Sequence, residues 1–188
     1  MSTTARRPLV AVVGDSNLDQ SDPKIEIARD VGRLLVDSRC RVVTGGLGGV
    51  MAAAMDGART SARYADGDTI AILPGYDPNE ASSSADIVLA TGMNLARNLI
   101  VANCDGVIAI GGGAGTLSEI ALAWQMRRPV VALAVDGWSK KLGASRIDGR
   151  VRQADVEDDQ VHAASTPADA VRMIAELMPR YSKRMRHV

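Results

Sequence analysis

Residues 107–124 have the sequence VIAIGGGAGTLSEIALAW, which runs from Val107 to Trp124. Four apolar residues lead directly into a cluster of glycines, and apolar residues at helical spacing follow. This order predicts a buried strand, a tight turn and the N-terminus of a helix. Glycines let the backbone approach an anion, free N–H groups point at it, and the helix dipole favours its charge. The stretch therefore predicts a phosphate site.

The rest of the chain repeats the alternation of apolar strand and amphipathic helix. The predicted strands are residues 9–13, 41–44, 68–73, 87–90, 105–110, 129–134 and 161–164. The predicted helices are 23–38 after an Asp22 cap, 50–58, 95–103, the helix after the glycine cluster, and a last one that Ser165 or Thr166 opens before Pro167. This pattern predicts an α/β fold with a doubly wound, mostly parallel sheet of about seven strands, as in Rossmann-like three-layer proteins. We expect residues 1–188 to form a single domain.

Three segments carry weaker signals. Residues 136–160 are polar and show no clear period, so we expect a flap or an excursion there. The small side chains of residues 50–58 permit close packing on the sheet or on another subunit. The last residues, 180–188, are predicted to form a basic tail that is frayed from Lys183 onward.

Composition excludes several classes of function. The 188 residues carry no net charge and only 3% aromatic side chains, so nucleic-acid binding is not favoured. No apolar run approaches the roughly 20 residues that span a bilayer, and residues 1–8 lack the apolar segment that would predict a signal peptide. Cys40 and Cys104 are expected to be reduced, and no Cys/His spacing indicates a metal ion. We therefore expect a cytoplasmic protein with no metal site and no resident cofactor.

Several glycine-rich turns follow predicted strands and so share the carboxyl edge of the sheet, where ligands of such folds bind. The cluster after residue 110 lacks the Lys-Ser/Thr pair of a P-loop, so ordinary triphosphate hydrolysis is not indicated. Gly14 likewise does not begin a dinucleotide fingerprint. The predicted phosphate- or nucleotide-binding residues are Gly14, Ser16, Gly45, Gly46, Gly48, Gly49, Asn98, Gly111, Gly112, Gly113, Gly115 and Thr116.

Thr116 and Glu119 allow two interpretations. Thr-Leu-Ser-Glu fits a capping box, in which Glu119 returns to a backbone N–H group. Alternatively, the Glu119 carboxylate lies one turn inside a phosphate-facing helix, where it can activate water or stabilise a cationic sugar. The residues alone leave the two equally supported.

Arg97 and Asn98 form a second candidate pair. If Asn94 caps the predicted helix, Arg97 lies in its first turn, where a cation opposes the helix dipole. A bound anion would reverse the sign of that effect, and Asn98 can offer an amide to the same ligand. A surface position without a function is the alternative for Arg97.

These residues resemble a known family. Pro74-Gly75, Thr91-Gly-Met-Asn-Leu-Ala-Arg-Asn98 and Val107 to Glu119 are similar to the LOG (Lonely Guy) family, once labelled "possible lysine decarboxylase". The resemblance extends over most of residues 9–135. The resemblance is nearest to the branch that includes molybdenum cofactor carrier proteins. LOG enzymes carry Pro-Gly-Gly and Arg-Lys at two positions of the motif. This sequence has Gly111-Gly112-Gly113 and Arg97-Asn98 there, as the carrier branch does.

The resemblance implies two functions, and a third follows from a more distant one. LOG enzymes cleave the N-glycosidic bond of nucleoside 5′-monophosphates, which would make Arg97 and Glu119 catalytic and release a base and ribose 5-phosphate. The carrier branch implies a carrier or sensor that binds a phosphorylated pterin cofactor without hydrolysis. A distant similarity to DNA-processing protein A implies single-strand DNA binding, which the composition disfavours. The family also implies a homodimer or higher homo-oligomer, and no lysine lies in a context that supports decarboxylation.

Overall fold

The structure is a computed structural model that describes residues 6–181. Seven strands lie within that range: β1 Leu9–Gly14, β2 Arg41–Thr44, β3 Thr69–Leu73, β4 Ile87–Ala90, β5 Gly106–Ile110, β6 Val130–Leu133 and β7 Val161–Ala164. They form one sheet in the order β4-β3-β2-β1-β5-β6-β7, and every neighbouring pair is parallel. The predicted α/β fold class is confirmed. Strand order reverses between β1 and β5, which makes their carboxyl ends the topological switch point.

Helices cover both faces of this sheet. They are α1 Pro23–Asp37, α2 Val50–Arg59, α3 Asn98–Ala102, α4 Ala114–Gln125, α5 Trp138–Leu142 and α6 Pro167–Arg180, with short 3₁₀ turns at Pro78–Glu80 and Asn94–Arg97. One apolar core joins the sheet to α1, α2 and α6, and the other joins it to α3, α4 and α5. Within residues 6–181, we find no helix with the length and apolar character needed to cross a bilayer.

Two helix starts follow their local sequence. The Asp22 carboxylate accepts the N–H of Lys24 at 2.9 Å, and Pro23 occupies the first helical position of α1. At α6, the hydroxyl of Thr166 rather than Ser165 accepts the N–H of Asp169 at 3.1 Å. Side-chain caps of this kind satisfy backbone donors that the helix itself leaves free. The predicted starts of both helices are confirmed.

The small side chains of α2 are used inside the chain. A Cβ atom added to Gly32 of α1 would lie 1.8 Å from the carbonyl oxygen of Ala54. A Cβ on Gly57 would lie 1.9 Å from the carbonyl oxygen of Arg29. The backbones of α1 and α2 thus approach too closely for any side chain, so α2 packs on α1 and on the sheet.

The expectation of a flap or an excursion over residues 136–160 is wrong. The segment begins with α5, and Ser145 then pairs with Val161 in an isolated antiparallel bridge. Arg152 and Asp159 are almost fully buried, and so is Val156. The segment therefore belongs to the packed body of the protein. The predicted tail from Lys183 onward lies outside the described residues.

Candidate functional site

A cleft of about 430 Å³ lies at the carboxyl ends of β1 and β5, on the predicted edge of the sheet. Volumes of this size suit small ligands. One side is polar and includes the start of α4, and the other is apolar. The lining residues are Gly14, Asp15, Ser16, Asn17, Leu47, Met51, Leu95, Arg97, Asn98, Gly113, Ala114, Gly115, Thr116 and Glu119.

The start of α4 presents free backbone donors to the cleft. Gly113 occupies the N-cap position without a side-chain cap, and the N–H of Leu117 makes the bond to its carbonyl. The N–H groups of Ala114, Gly115 and Thr116 therefore lie before the first intrahelical donor. Cβ atoms on Gly113 or Gly115 would meet no atom within 4 Å, so the space before these donors is open. This geometry suits an anion.

The capping-box interpretation of Thr116 and Glu119 is wrong. Because α4 begins at Ala114, Thr116 already lies inside the helix, and its buried side chain packs against Gly112. Glu119 turns instead towards Arg97, whose Nη1 lies 3.3 Å from its Oε1. The sequence left both interpretations open, and the structure selects the one in which Glu119 faces the cleft.

Arg97 and Glu119 form a buried but incomplete ion pair. Arg97 is 8% exposed and Glu119 is 7% exposed, and the Nε of Arg97 has no hydrogen-bond partner among the described residues. Burial raises the pKa of Glu119 to about 7, although the positive charge of Arg97 acts against that shift. Burial also lowers the pKa of Arg97, and Glu119 opposes this. The pair thus places at the cleft a carboxyl group that titrates near neutrality and a guanidinium whose buried Nε has no partner among the described residues.

The local structure around Arg97 differs from the prediction. Asn94 does not cap a helix: it adopts a φ of 50° at the start of a 3₁₀ turn, whose cap position is held by Met93 without a side-chain bond. Arg97 ends that turn and precedes α3. Gly45 explains how the guanidinium fits, because a Cβ there would lie 2.4 Å from Arg97 Nη1. Asn98 lines the cleft, but its amide nitrogen donates to the Ser118 hydroxyl at 2.8 Å.

The other predicted glycines lie either behind the cleft or at its surface. Gly14 packs against the carbonyl of Ile110, and Gly48 and Gly49 pack against the backbone of the Asp15–Ser16 turn. Gly46, with a φ of 80°, packs beside Ala71 and Leu73. Gly111 and Gly112 form the turn before α4 but do not line the cleft. Of the predicted glycines, Gly14, Gly113 and Gly115 therefore lie at its surface.

Sequence reasoning missed six lining residues, and one of them, Ala114, stands between Gly113 and Gly115 of the predicted cluster. Asp15 and Asn17 follow β1 directly, and their position next to Gly14 and Ser16 was the signal that could have identified them. Leu47, Met51 and Leu95 form the apolar side of the cleft. Single apolar residues in turns and helices carry no comparable signal. Among residues 6–181 no cluster of His, Cys, Asp and Glu is placed to hold a metal ion.

Comparison with known proteins identifies the family. The model of the SLOG cluster4 family matches residues 7–171. The chain belongs to this family. An uncharacterized protein from Archaeoglobus fulgidus is 38% identical to it over 125 residues, which cover 66% of this chain and 78% of that protein. The expected resemblance to the LOG family and its carrier branch is confirmed.

Solved structures agree with the SLOG assignment. The molybdenum cofactor binding protein from Rippkaea orientalis is similar with a TM-score of 0.75 and 33% identity, over 93% of this chain and 99% of that one. The molybdenum cofactor carrier protein from Chlamydomonas reinhardtii gives a TM-score of 0.73 and 29% identity over the same shares. The SLOG chain is therefore a LOG-like ligand-binding protein.

Proposed function

We propose that the cleft binds a phosphorylated small molecule with its phosphate at the start of α4. The observation that carries this proposal is the open row of N–H groups from Ala114 to Thr116, which faces the same cleft as the buried guanidinium of Arg97. The positive end of the α4 dipole and the buried Arg97 cation together favour a phosphate over a neutral group. Leu47, Met51 and Leu95 offer an apolar surface to the flat ring of such a ligand.

The ligand class that the relatives favour is a phosphate-bearing pterin such as molybdenum cofactor. Two similar structures are named for binding or carrying that cofactor, and both match nearly their whole length to this chain. Gly111 and Asn98, which occupy the positions where LOG enzymes carry proline and lysine, agree with the carrier branch. A carrier needs saturable binding and slow release, and no bond of the ligand is broken.

One observation favours a second candidate, hydrolysis of a nucleoside 5′-monophosphate. A carboxyl group whose pKa is raised to about 7 is suited to proton transfer or charge stabilisation at neutral pH. In this reaction the C1′–N bond breaks with its electron pair on the base, water adds to C1′, and a water proton ends on the base. Ionised Glu119 would stabilise the positive charge on the ribose or orient the water. Arg97 would position Glu119 and the substrate.

A single comparison separates the two functions. Wild type and Glu119→Gln are incubated with a panel of nucleoside monophosphates and, separately, with a phosphorylated pterin. Ribose 5-phosphate release is assayed, and binding is measured by calorimetry. If the protein is a hydrolase, wild type releases ribose 5-phosphate, and Glu119→Gln releases it at least 100-fold more slowly. A carrier binds but releases none, and both forms retain binding. Absence of binding for every phosphorylated ligand, pterin included, would contradict both.

We also propose that the chain self-associates through an apolar face, defined as Ile70, Ile72, Ile87 and Leu89 of the sheet and Leu99 and Ile100 of α3. Ile70 pairs with Ile87 and Ile72 with Leu89, so these four side chains share one side of β3 and β4. Leu89 is 45% exposed and Leu99 is 49% exposed. A contiguous patch of this kind marks an interface.

The arrangement of the apolar face favours a second copy as its partner. The residues of β3, β4 and α3 that define it line one groove of about 480 Å³. A two-fold axis would place the apolar face of each copy on that of the other, as an isologous interface requires. Sedimentation should therefore give a dimer for wild type and for Val151→Lys, an exposed site elsewhere. Leu89→Lys should give a monomer, and a dimeric Leu89→Lys would contradict the proposal.

Several expectations from the sequence stay predictions. They are a cytoplasmic location, a single domain over residues 1–188, and the absence of a nucleic-acid partner, a metal site and a resident cofactor.

A further inference from the structure

The carboxylate of Asp15 occupies the turn that sequence reasoning assigned to phosphate. Asp15 Oδ2 accepts the N–H of Gly112 at 2.9 Å and the ammonium of Lys24 at 2.7 Å. A Cβ on Gly111 would lie 2.5 Å from the same oxygen. Gly111 and Gly112 have φ values of 64° and 94°, the left-handed backbone that turns N–H groups into an anion-binding concavity. The protein therefore supplies its own anion to this concavity.

The turn is also held from the opposite side. The N–H of Gly111 donates to the Ser139 hydroxyl at 2.8 Å, and the N–H of Ser139 donates back to the Gly111 carbonyl at 3.0 Å. The N–H of Trp138 donates to the carbonyl of Gly112 at 3.0 Å. With α5 on one side and Asp15 on the other, the turn cannot open for a larger anion without the loss of several hydrogen bonds.

We propose that Asp15 is a specificity-determining residue that restricts the cleft to ligands with a single phosphate. This inference rests on the proposed position of that phosphate at the start of α4. The N–H of Gly112, in the turn before Gly113, already serves the Asp15 carboxylate, and Asp15 lines the cleft whereas Gly112 does not. A second phosphate joined to the first on the turn side would thus meet a carboxylate in place of a donor.

Lys24 makes this arrangement compatible with binding of the first phosphate. Its ammonium contacts Asp15 Oδ2 and lies 3.9 Å from an Asp22 carboxylate oxygen. The side chains of Lys24 and Asp15 are 18% and 26% exposed, so solvent screens the pair only in part. Without Lys24, the carboxylate charge would repel any anion at the start of α4.

Inorganic phosphate and pyrophosphate test the proposal, because they differ by one phosphate and carry no base or sugar. Their affinities are measured by calorimetry for wild type, Asp15→Asn and Asp136→Asn. Asp136 is a matched control: its carboxylate is exposed, and a Cβ on Gly111 would lie 3.0 Å from its backbone carbonyl oxygen. The hydrogen bond and charge of Lys140 lower its pKa, and the charge of Lys24 adds to this. We expect wild type and Asp136→Asn to bind pyrophosphate no more tightly than phosphate. In Asp15→Asn, the ratio of pyrophosphate to phosphate affinity should rise at least tenfold.

A second variant keeps the test decisive if Asp15→Asn does not fold. Lys24→Met retains the carboxylate and removes its cation, so both anions should bind at least threefold more weakly, and pyrophosphate should lose more than phosphate. A purely structural role for Asp15 would change stability and leave the affinity ratio unchanged in both variants, which would overturn the inference. If wild type binds neither anion, the proposed phosphate site itself fails. If it binds phosphate and the ratio stays fixed, only the role of Asp15 fails.

Discussion

Arg152–Asp159 and Arg97–Glu119 are both buried ion pairs, but their hydrogen bonds are satisfied to very different degrees. Arg152 donates from Nε and Nη2 to both oxygens of Asp159, and its Nη1 donates to the carbonyls of Trp124 and Arg128 at 3.1 Å. Its guanidinium stacks 3.5 Å from the centroid of the Trp124 ring, and the Tyr181 hydroxyl donates to Asp159 at 2.6 Å. In contrast, Arg97 makes one contact of 3.3 Å with Glu119 and leaves Nε without a partner.

The difference indicates what each pair is for. A buried ion pair offsets its desolvation only when geometry is good and the remaining donors are satisfied. The Arg152–Asp159 pair meets this condition and ties residues 146–160 to α4 and α6. The Arg97–Glu119 pair does not meet it, although it is nearly as buried. An unsatisfied pair at the wall of a cleft is a feature of ligand sites, where perturbed groups concentrate.

The largest effect that the comparison predicts is on stability. Arg152→Met should lower the free energy of unfolding by about 3–5 kcal/mol, because Asp159 is left charged and buried without its cation. Phosphate binding at the distant cleft should be unchanged. Urea denaturation measures the first and calorimetry the second. Arg150→Met, which removes an exposed pair with Asp148, is the control and should cost about 0–1 kcal/mol. Equal costs for the two variants would contradict the assigned difference.

A smaller effect is the change in the free energy of unfolding with pH. The pKa of folded Glu119, about 7, exceeds that of an unfolded glutamate, so the folded form is favoured at low pH and loses stability as pH rises through 7. Glu119→Gln has no such loss. Between pH 5 and pH 9, wild type should therefore lose about 2–3 kcal/mol relative to the variant. Denaturation curves at pH 5, 7 and 9 measure this, and parallel curves for the two proteins would show that Glu119 does not titrate there.

Removal of one hydrogen bond from the complete pair should cost less. Tyr181→Phe deletes the hydroxyl that donates to Asp159, and a bond to a buried charged group contributes about 2 kcal/mol. Tyr76→Phe is the control, because Tyr76 is 85% exposed. Thermal and urea unfolding of both variants provide the comparison. A cost for Tyr181→Phe no greater than that for Tyr76→Phe would mean that Asp159 is satisfied without the hydroxyl.

The smallest effect in free energy is the most informative for function. Arg97→Met should weaken binding of inorganic phosphate about tenfold, or ~1.4 kcal/mol, because the cleft loses its buried cation. Its effect on unfolding should be well below that of Arg152→Met. Arg59→Met, which removes a surface pair with Asp86, should leave phosphate binding unchanged. If Arg97→Met binds phosphate as wild type does, the incomplete pair does not serve an anion.

Local sequence predicted the elements that local interactions determine. The strand cores and the starts of α1 and α6 were predicted because apolar runs, Asp22-Pro23 and Thr166-Pro167 act over a few residues. The start of α4 was left open by the sequence, because Thr116 could also be interpreted as an N-cap. A capping motif can be read from Thr116 to Glu119, but the helix begins at Ala114, where the turn at Gly111 and Gly112 is held by Asp15 and Ser139.

The sequence by itself determined the class of the fold and the edge of the sheet where the cleft lies, because alternating apolar strands and helices form a parallel sheet whose carboxyl ends coincide. Only the tertiary structure decided that Glu119 meets Arg97, that Asp15 fills the glycine turn, and that residues 146–160 are anchored. Each of these contacts joins residues far apart in the chain: 22 positions separate Arg97 from Glu119, and 97 separate Asp15 from Gly112. Such contacts depend on packing, which no local pattern encodes.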